Sequence, residues 1–194
     1  SEDPGGLTQD QVDEDRRQAG RFTEDYDTGQ EVDQQVVGLQ YEDLGFGPGE
    51  LYLKGFTTWR DFEQQLPYPG DSLIDYRRHH FGGSAEYHQH FNLAGMTLDS
   101  MVGIDGARQE DDRHRRDVAF DGSVTGEVAD ETQTATSLGI FAQGDLALNE
   151  HWILSAGGRF DRIDMEIDDD YDNDGDQSGE RTFHETNGSL GISY

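Results

Sequence analysis

The segments Leu138-Gly-Ile-Phe-Ala-Gln-Gly-Asp-Leu-Ala-Leu148 and Trp152-Ile-Leu-Ser-Ala-Gly-Gly-Arg-Phe-Asp161, joined by Asn149-Glu-His151, decide the reading of the fold. One face of the first carries Leu138, Ile140, Ala142, Gly144, Leu146 and Leu148; the other carries Gly139, Phe141, Gln143, Asp145 and Ala147. After the turn, Trp152, Leu154, Ala156, Gly158 and Phe160 continue the apolar face opposite Ser155, Gly157, Arg159 and Asp161. A period of two is that of a β-strand, and two such runs across a short turn make a hairpin with one greasy and one wet face.

The same device recurs outward along the chain. Met96, Leu98, Val102 and Ile104 stand opposite Asp99 and Asp105, and Leu51, Leu53, Gly55, Thr57 and Trp59 stand opposite Lys54 and Arg60. The pattern predicts an all-β antiparallel meander of seven strands over about 31–42, 50–65, 72–90, 93–110, 131–148, 151–168 and 181–194. An eighth near Arg21–Thr28 would make the count even, as single-chain bacterial barrels require. Several strands exceed the five or six residues usual in globular sheets. Short connections at Leu66–Gly70, Asn92 and Asn149–His151 alternate with long acidic ones over Gln109–Asp130 and Asp168–Glu180, the arrangement of a transmembrane β-barrel. Residues 1–30 read as an irregular acidic segment and 31–194 as the barrel segment. Within the former, Thr8 and Gln11 form a capping box that supports one or two helical turns at most.

Composition narrows the function. The chain has 194 residues, 42 acidic against 14 basic, and a net charge of −28. Phosphate neutralisation needs clustered cations, so nucleic acid is excluded as a partner. Lys54 is the only lysine, and the acid excess fits either a high-salt setting that screens self-repulsion or a set of acidic surface loops. With no cysteine, disulfides, Cys-ligated zinc and Cys nucleophiles fall away. The longest stretch free of Asp, Glu, Lys and Arg is Thr132–Gly144, 13 residues, against about 20 for a membrane helix. Ser1-Glu-Asp-Pro-Gly-Gly is not a secretory signal, so the expectation is a chain that starts after processing or inside a longer protein. No nucleophile elbow, phosphate loop or HExxH is present, and an enzyme is not expected.

Ser137-Leu-Gly-Ile-Phe-Ala-Gln-Gly-Asp-Leu-Ala-Leu148, followed by Trp152-Ile-Leu-Ser-Ala-Gly-Gly-Arg-Phe-Asp-Arg162, resembles the central barrel of TonB-dependent outer-membrane receptors. Asn187-Gly-Ser-Leu-Gly-Ile-Ser-Tyr194 resembles the next strand of that barrel. Trp59-Arg-Asp-Phe-Glu-Gln-Gln-Leu-Pro-Tyr68 is similar to the family's R-D-F-x-x-x-L-P-F. Gly5-Gly-Leu-Thr-Gln9 and Asp15-Arg-Arg-Gln-Ala19 are similar to a loop of siderophore-type members. The order and spacing of these motifs carry the resemblance. It implies a barrel of about 22 strands around a plug, an outer-membrane location in a Gram-negative-type bacterium, and uptake of ferric siderophores or similar ligands. Contact with the TonB complex would run through the plug, which this stretch does not include, so the chain is expected to be a receptor fragment. Two alternatives stay open: a self-contained eight-stranded outer-membrane barrel, and a soluble acidic calcium-binding β-domain for binding or adhesion.

The sharpest local motif is Asp168-Asp-Asp-Tyr-Asp-Asn-Asp-Gly-Asp-Gln-Ser-Gly-Glu180. Asp170, Asp172, Asp174, Gly175 and Asp176 spell D-x-D-x-D-G, in which alternate carboxylates can wrap calcium. The twelfth position holds Arg181, with Glu180 one place early, so the candidate metal residues are Asp170, Asp172, Asp174, Asp176 and Glu180. A solvated acidic loop is the competing reading. His88 and His90 share a strand face, with His79 and His80 nearby; they suit a lumen lining, or a transition metal or haem for which no third ligand is identifiable. Arg77, Arg78, Arg113, Arg115 and Arg116 suit an anionic ferric chelate, or local pairing with Glu110, Asp111, Asp112 and Asp117. Trp59, Tyr68, Phe91, Trp152, Phe160 and Tyr194 read as interfacial aromatics near strand ends.

Overall fold

A computed structural model describes residues 6–20, 23, 26, 28–93, 95–171 and 173–194. Thr8 caps a short helix, α1 (Gln9–Asp15), with both arms of its capping box formed with Gln11. Seven strands follow: β1 (Gly29–Phe46), β2 (Gly49–Gln65), β3 (Gly70–Leu93), β4 (Met96–Val118), β5 (Val124–Ala147), β6 (Ile153–Asp169) and β7 (Gly179–Ser193). They form one antiparallel sheet in the order β1-β2-β3-β4-β5-β6-β7. The expected eighth strand at Arg21–Thr28 falls mostly outside the described residues.

One expectation is corrected. Gln109–Asp130 is not a long loop: β4 runs on to Val118, β5 begins at Val124, and only five residues connect them. The reason is cross-strand pairing. Arg113 of β4 binds Glu131 of β5 at 2.9 Å, and Arg77 of β3 is ion-paired with Asp112 of β4. Charge complementarity holds the strands where alternation of apolar residues has ended.

The sheet has two distinct faces. One register row, Tyr41–Leu53–Ala85–Ile104–Ile140–Phe160–Thr186, crosses all seven strands on the outward face. Leu39, Leu138, Val102, Leu154 and Ile192 lie on neighbouring rows of that face, all largely exposed. Along β4 the band runs from Met96, opposite Leu93, to Gly106 and stops at the ion-paired Arg108. At roughly 3.3 Å per residue and a tilt of about 40° it is about 25 Å tall, the height of a lipid-facing band. Trp59 stacks on His79 at its upper margin, and Trp152 packs on Tyr194 at the short-turn end, as interfacial aromatics should. Phe160, expected near a strand end, instead lies in the middle row, beside Ile140.

The inward face carries Lys54, Glu86, Asp105, Gln143, Arg159 and Asp161; Lys54 pairs with Glu86 and Arg159 with Asp105 across strands, and Arg159 also pairs with Asp161 along β6. No dry core fills it. The only buried hydrophobic residues among those described are Tyr26, Leu73, Val118 and Ala129, at the long-connection end. The accessible surface is 13213 Å², against about 9,300 Å² for a compact monomer of this mass. An open wall one sheet thick accounts for the excess.

Candidate functional site

Above the apolar band, the inward face concentrates arginine and aromatic side chains. Arg60, Arg78, Asp111 and Gln133 share one register row, and Phe62, Tyr76, Arg113 and Glu131 share the next. Period-two geometry puts all eight on one surface because each row lies two residues from its neighbour. Arg78 forks onto Asp111, Nε to Oδ1 at 2.7 Å and Nη2 to Oδ2 at 2.6 Å, while its guanidinium lies 4.9 Å from the Tyr76 ring. Asp111 is 4% exposed and also accepts from Gln109 Nε2 at 3.1 Å. Arg115 reaches Asp71 at 2.5 Å. Arg60 lies 5.4 Å from the Phe62 ring and 5.8 Å from that of Tyr76, and among the described residues it has no carboxylate partner. The patch is thus cationic, aromatic-backed and preorganised by its own ion pairs.

The sequence-predicted arginines do pair with acids: Arg77 and Arg78 take Asp112 and Asp111, two of the acids expected, while the other three take different partners. Arg113, Arg115 and Arg116 bind Glu131, Asp71 and Asp75 on the flanking strands rather than the acids adjacent in sequence. Asp111 and Asp112 serve Arg78 and Arg77 instead, and Glu110 serves Arg108. Lower on the inward face, Arg159 binds Asp105 at 2.7 and 3.0 Å and Asp161 at 2.9 Å, with the Phe141 ring 5.3 Å away. Sequence reading missed this triad, because Asp105 lies 54 residues away and only the register brings it near.

The four singled-out histidines do not converge. His79 lies outward against Trp59 with Thr57 Oγ1 at 3.0 Å; His80 packs on Phe56; His88 lies against Tyr52 with the rings tilted; His90 is bonded to Asp99. In the acidic loop, Asp172 lies outside the described residues. Asp174 Oδ2 accepts from Gln177 Nε2 at 2.6 Å, and Asp176 Oδ1 from the Ser178 amide at 2.9 Å. The Asp170 amide donates to the Asp130 carbonyl, and Glu180 has joined β7. The Ser178 hydroxyl and amide hold the Asp176 carboxyl below the usual carboxylate range. Among the described residues a single group of three metal-ligating side chains converges, and it is elsewhere: Asp112, His114 and Asp130.

A long-stranded sheet with an apolar outward band and a charged inward face defines a segment of transmembrane β-barrel wall. Residues 2–194 match the family model described as TonB dependent receptor-like, beta-barrel. The chain belongs to that family, whose members are transporters and not enzymes. Its sheet superposes on the ferric citrate transporter FecA in its unliganded form with a TM-score of 0.79, at 17% identity, over 97% of this chain and 28% of that one. The siderophore receptor PiuA from Acinetobacter baumannii gives 0.67 at 12% identity, over 84% of this chain and 30% of that one. The ferric-catecholate import receptor Fiu of E. coli K12 gives 0.58 at 10%, over 84% of this chain and 32% of that one. A search of curated protein sequences returns no match. The chain therefore spans about three-tenths of the length of these receptors.

Proposed function

We propose that this sheet lines the uptake path of an outer-membrane receptor for ferric siderophores or similar anionic metal chelates. The observation that carries the reading is the inward Arg60, Arg78, Arg113 and Arg115 patch, and Arg60 above all, whose guanidinium rests on aromatic rings with no carboxylate among the described residues. A guanidinium is weakly hydrated and forked, suited to the paired oxygens of a carboxylate-type chelate. The outward apolar band contacts outer-membrane lipid, and energy arrives from the TonB complex through a plug domain. A soluble β-domain is disfavoured by the continuous exposed band, which far exceeds the apolar patches soluble monomers carry.

The test uses the full-length protein in detergent, titrated with ferric citrate, a ferric hydroxamate and a ferric catecholate. One chelate should bind, and Arg60→Ala should weaken it by about tenfold, as expected for loss of a charge-assisted contact. Absence of binding for every chelate, or equal affinity in Arg60→Ala, overturns the assignment. Immunoblotting of fractionated cells should place the chain in the outer membrane.

A further inference from the structure

On β6 the apolar alternation changes face partway along an unbroken strand. Leu154, Ala156, Gly158 and Phe160 point outward into the band, whereas Ile163, Met165 and Ile167 point inward and Arg162, Asp164 and Glu166 take the outward positions. Pairing with β5 and β7 keeps one register from Ile153 to Ile167, so no bulge produces the change. The order of the residues does. On β7 Leu190 and Ile192 face outward in the same way, while Phe183 faces inward opposite Ile163. The four inward side chains are between 37% and 48% exposed.

Above the band, water lies on both sides of the wall. A period of two in apolar residues has a driving force there only if something apolar covers one face. Gln133, Ala135, Met165, Ile167, Arg181 and Phe183 line a cavity of about 370 Å³ on that inward surface. Ala135, Met165 and Arg181 share one register row, and Gln133 and Ile167 share the next. That second row is also the row of Arg60, Arg78 and Asp111, so the cavity adjoins the arginine patch through Gln133.

The charge at the cavity narrows what can fill it. Arg181 Cζ lies 5.0 Å from the Phe183 ring, and among the described residues the guanidinium has no carboxylate partner. In a chain with 42 acidic and 14 basic residues that is an exception. The other inward arginine without one is Arg60, which likewise rests on a phenylalanine ring. A purely apolar occupant would leave Arg181 without a counter-charge, and a purely polar anion would leave Met165, Ile167 and Phe183 against water. An anion with an apolar arm satisfies both.

We infer that this cavity holds a short acyl arm of an anionic ferric chelate, with Arg181 on the chelate's negative charge and the iron-binding head toward Arg60 and Arg78. The inference rests on the uptake reading above and narrows its ligand, since a wholly polar chelate such as ferric citrate leaves the cavity unfilled.

The test titrates the full-length receptor in detergent with two citrate-based ferric dihydroxamates. They share one iron-binding head and one net charge, and differ only in carrying acetyl or hexanoyl groups on the hydroxamate nitrogens. Micelle partitioning is common to every variant, so the ratio of the two affinities is compared between proteins. The wild type should favour the hexanoyl form by about tenfold, a part of what full burial of the added methylenes would give. Met165→Gln, close in size, should bring that ratio near unity. Arg181→Gln should weaken both forms several-fold and keep the ratio, because it meets the charge and not the arm. Retention of the heat-modifiable electrophoretic shift in each variant separates site loss from misfolding. A wild type that binds both forms equally overturns the inference and leaves the uptake reading standing, as does a preference that survives in Met165→Gln. A Met165→Gln that lowers the melting temperature without moving the ratio also overturns it, and shows that a segment of the receptor itself covers the cavity. Failure of both forms to bind removes the uptake reading and this inference together.

Discussion

Arg159 of β6 passes over the backbone of Gly139 on β5 to reach Asp105 on β4. Asp105, Gly139 and Asp161 are register neighbours, so the middle residue must present nothing to the inward face. A Cβ on Gly139 would fall 2.8 Å from Arg159 Cζ, overlapping the guanidinium, and 2.9 Å from Asp161 Oδ1. The glycine is there for the space above it, and the space is filled by an ion pair that ties three strands together.

Gly139→Ala should therefore destabilise the barrel even though alanine usually outperforms glycine in a strand. Displacing Arg159 from Asp105 forfeits charge-assisted hydrogen bonds, about 1–2 kcal/mol in a partly wet lumen. Urea unfolding of the full-length protein in lipid measures it. Gly158→Ala is the control, because its Cβ would meet nothing closer than the Asn187 carbonyl at 3.9 Å. Equal effects of the two substitutions would refute the steric account.

Much of this wall is legible in sequence, and where legibility stops has a physical cause. Between Leu138 and Phe160 one face meets lipid, so apolar residues must alternate, and the hairpin can be read directly. Above the band both faces meet water, alternation has no driving force, and Gln109–Asp130 looks like a loop although most of it is strand. The arginines of β4 are visible as residues, but Glu131, Asp71 and Asp75 become the partners of Arg113, Arg115 and Arg116 only through register.

The face assignment itself predicts an asymmetry between two positions three residues apart on β5. Ile140 sits in the row that crosses the middle of the apolar band, while Gln143 lies on the inward face beside Gly157 and Met101. Ile140→Arg should cost about 2–4 kcal/mol of folding stability in bilayers. Gln143→Arg should cost far less, because its guanidinium enters the lumen. Folding titrations in phosphatidylcholine vesicles compare them, and similar costs would mean that the faces are reversed.

Asp111 offers a test of the inward patch independent of any chelate. It is 4% exposed and holds Arg78 through two hydrogen bonds. Asp111→Asn would leave a half-buried guanidinium without its counter-charge, which is worse than never having had the pair. We expect a loss of about 2–3 kcal/mol, below the cost for a fully buried pair because Arg78 retains some solvent. Arg78→Gln in the same background should recover part of it. A double-mutant cycle by urea unfolding reads the coupling, and a coupling near zero would dismiss the pair as a surface contact.

The two long-side connections β4–β5 and β6–β7 carry the same small device, and its response to acid has a definite sign. Asp121 Oδ1 accepts from the Ser123 hydroxyl at 2.6 Å and amide at 3.1 Å, and Asp176 Oδ1 accepts from the Ser178 amide at 2.9 Å. These bonds to serine depress both carboxyls below their ordinary range. A depressed carboxyl stabilises the loop fully above the unfolded value of about 4, and that contribution fades as pH falls through the lower folded value. Protection of the Ser123 and Ser178 amides against hydrogen exchange, corrected for intrinsic rate, should hold at neutral pH and drop in acid. Asp121→Asn should abolish the step at Ser123 and leave the one at Ser178 in place, because among the described residues no hydrogen bond or ion pair joins the two loops. A step that survives at Ser123 would show that the protection comes from the strand ends and not from the carboxylate.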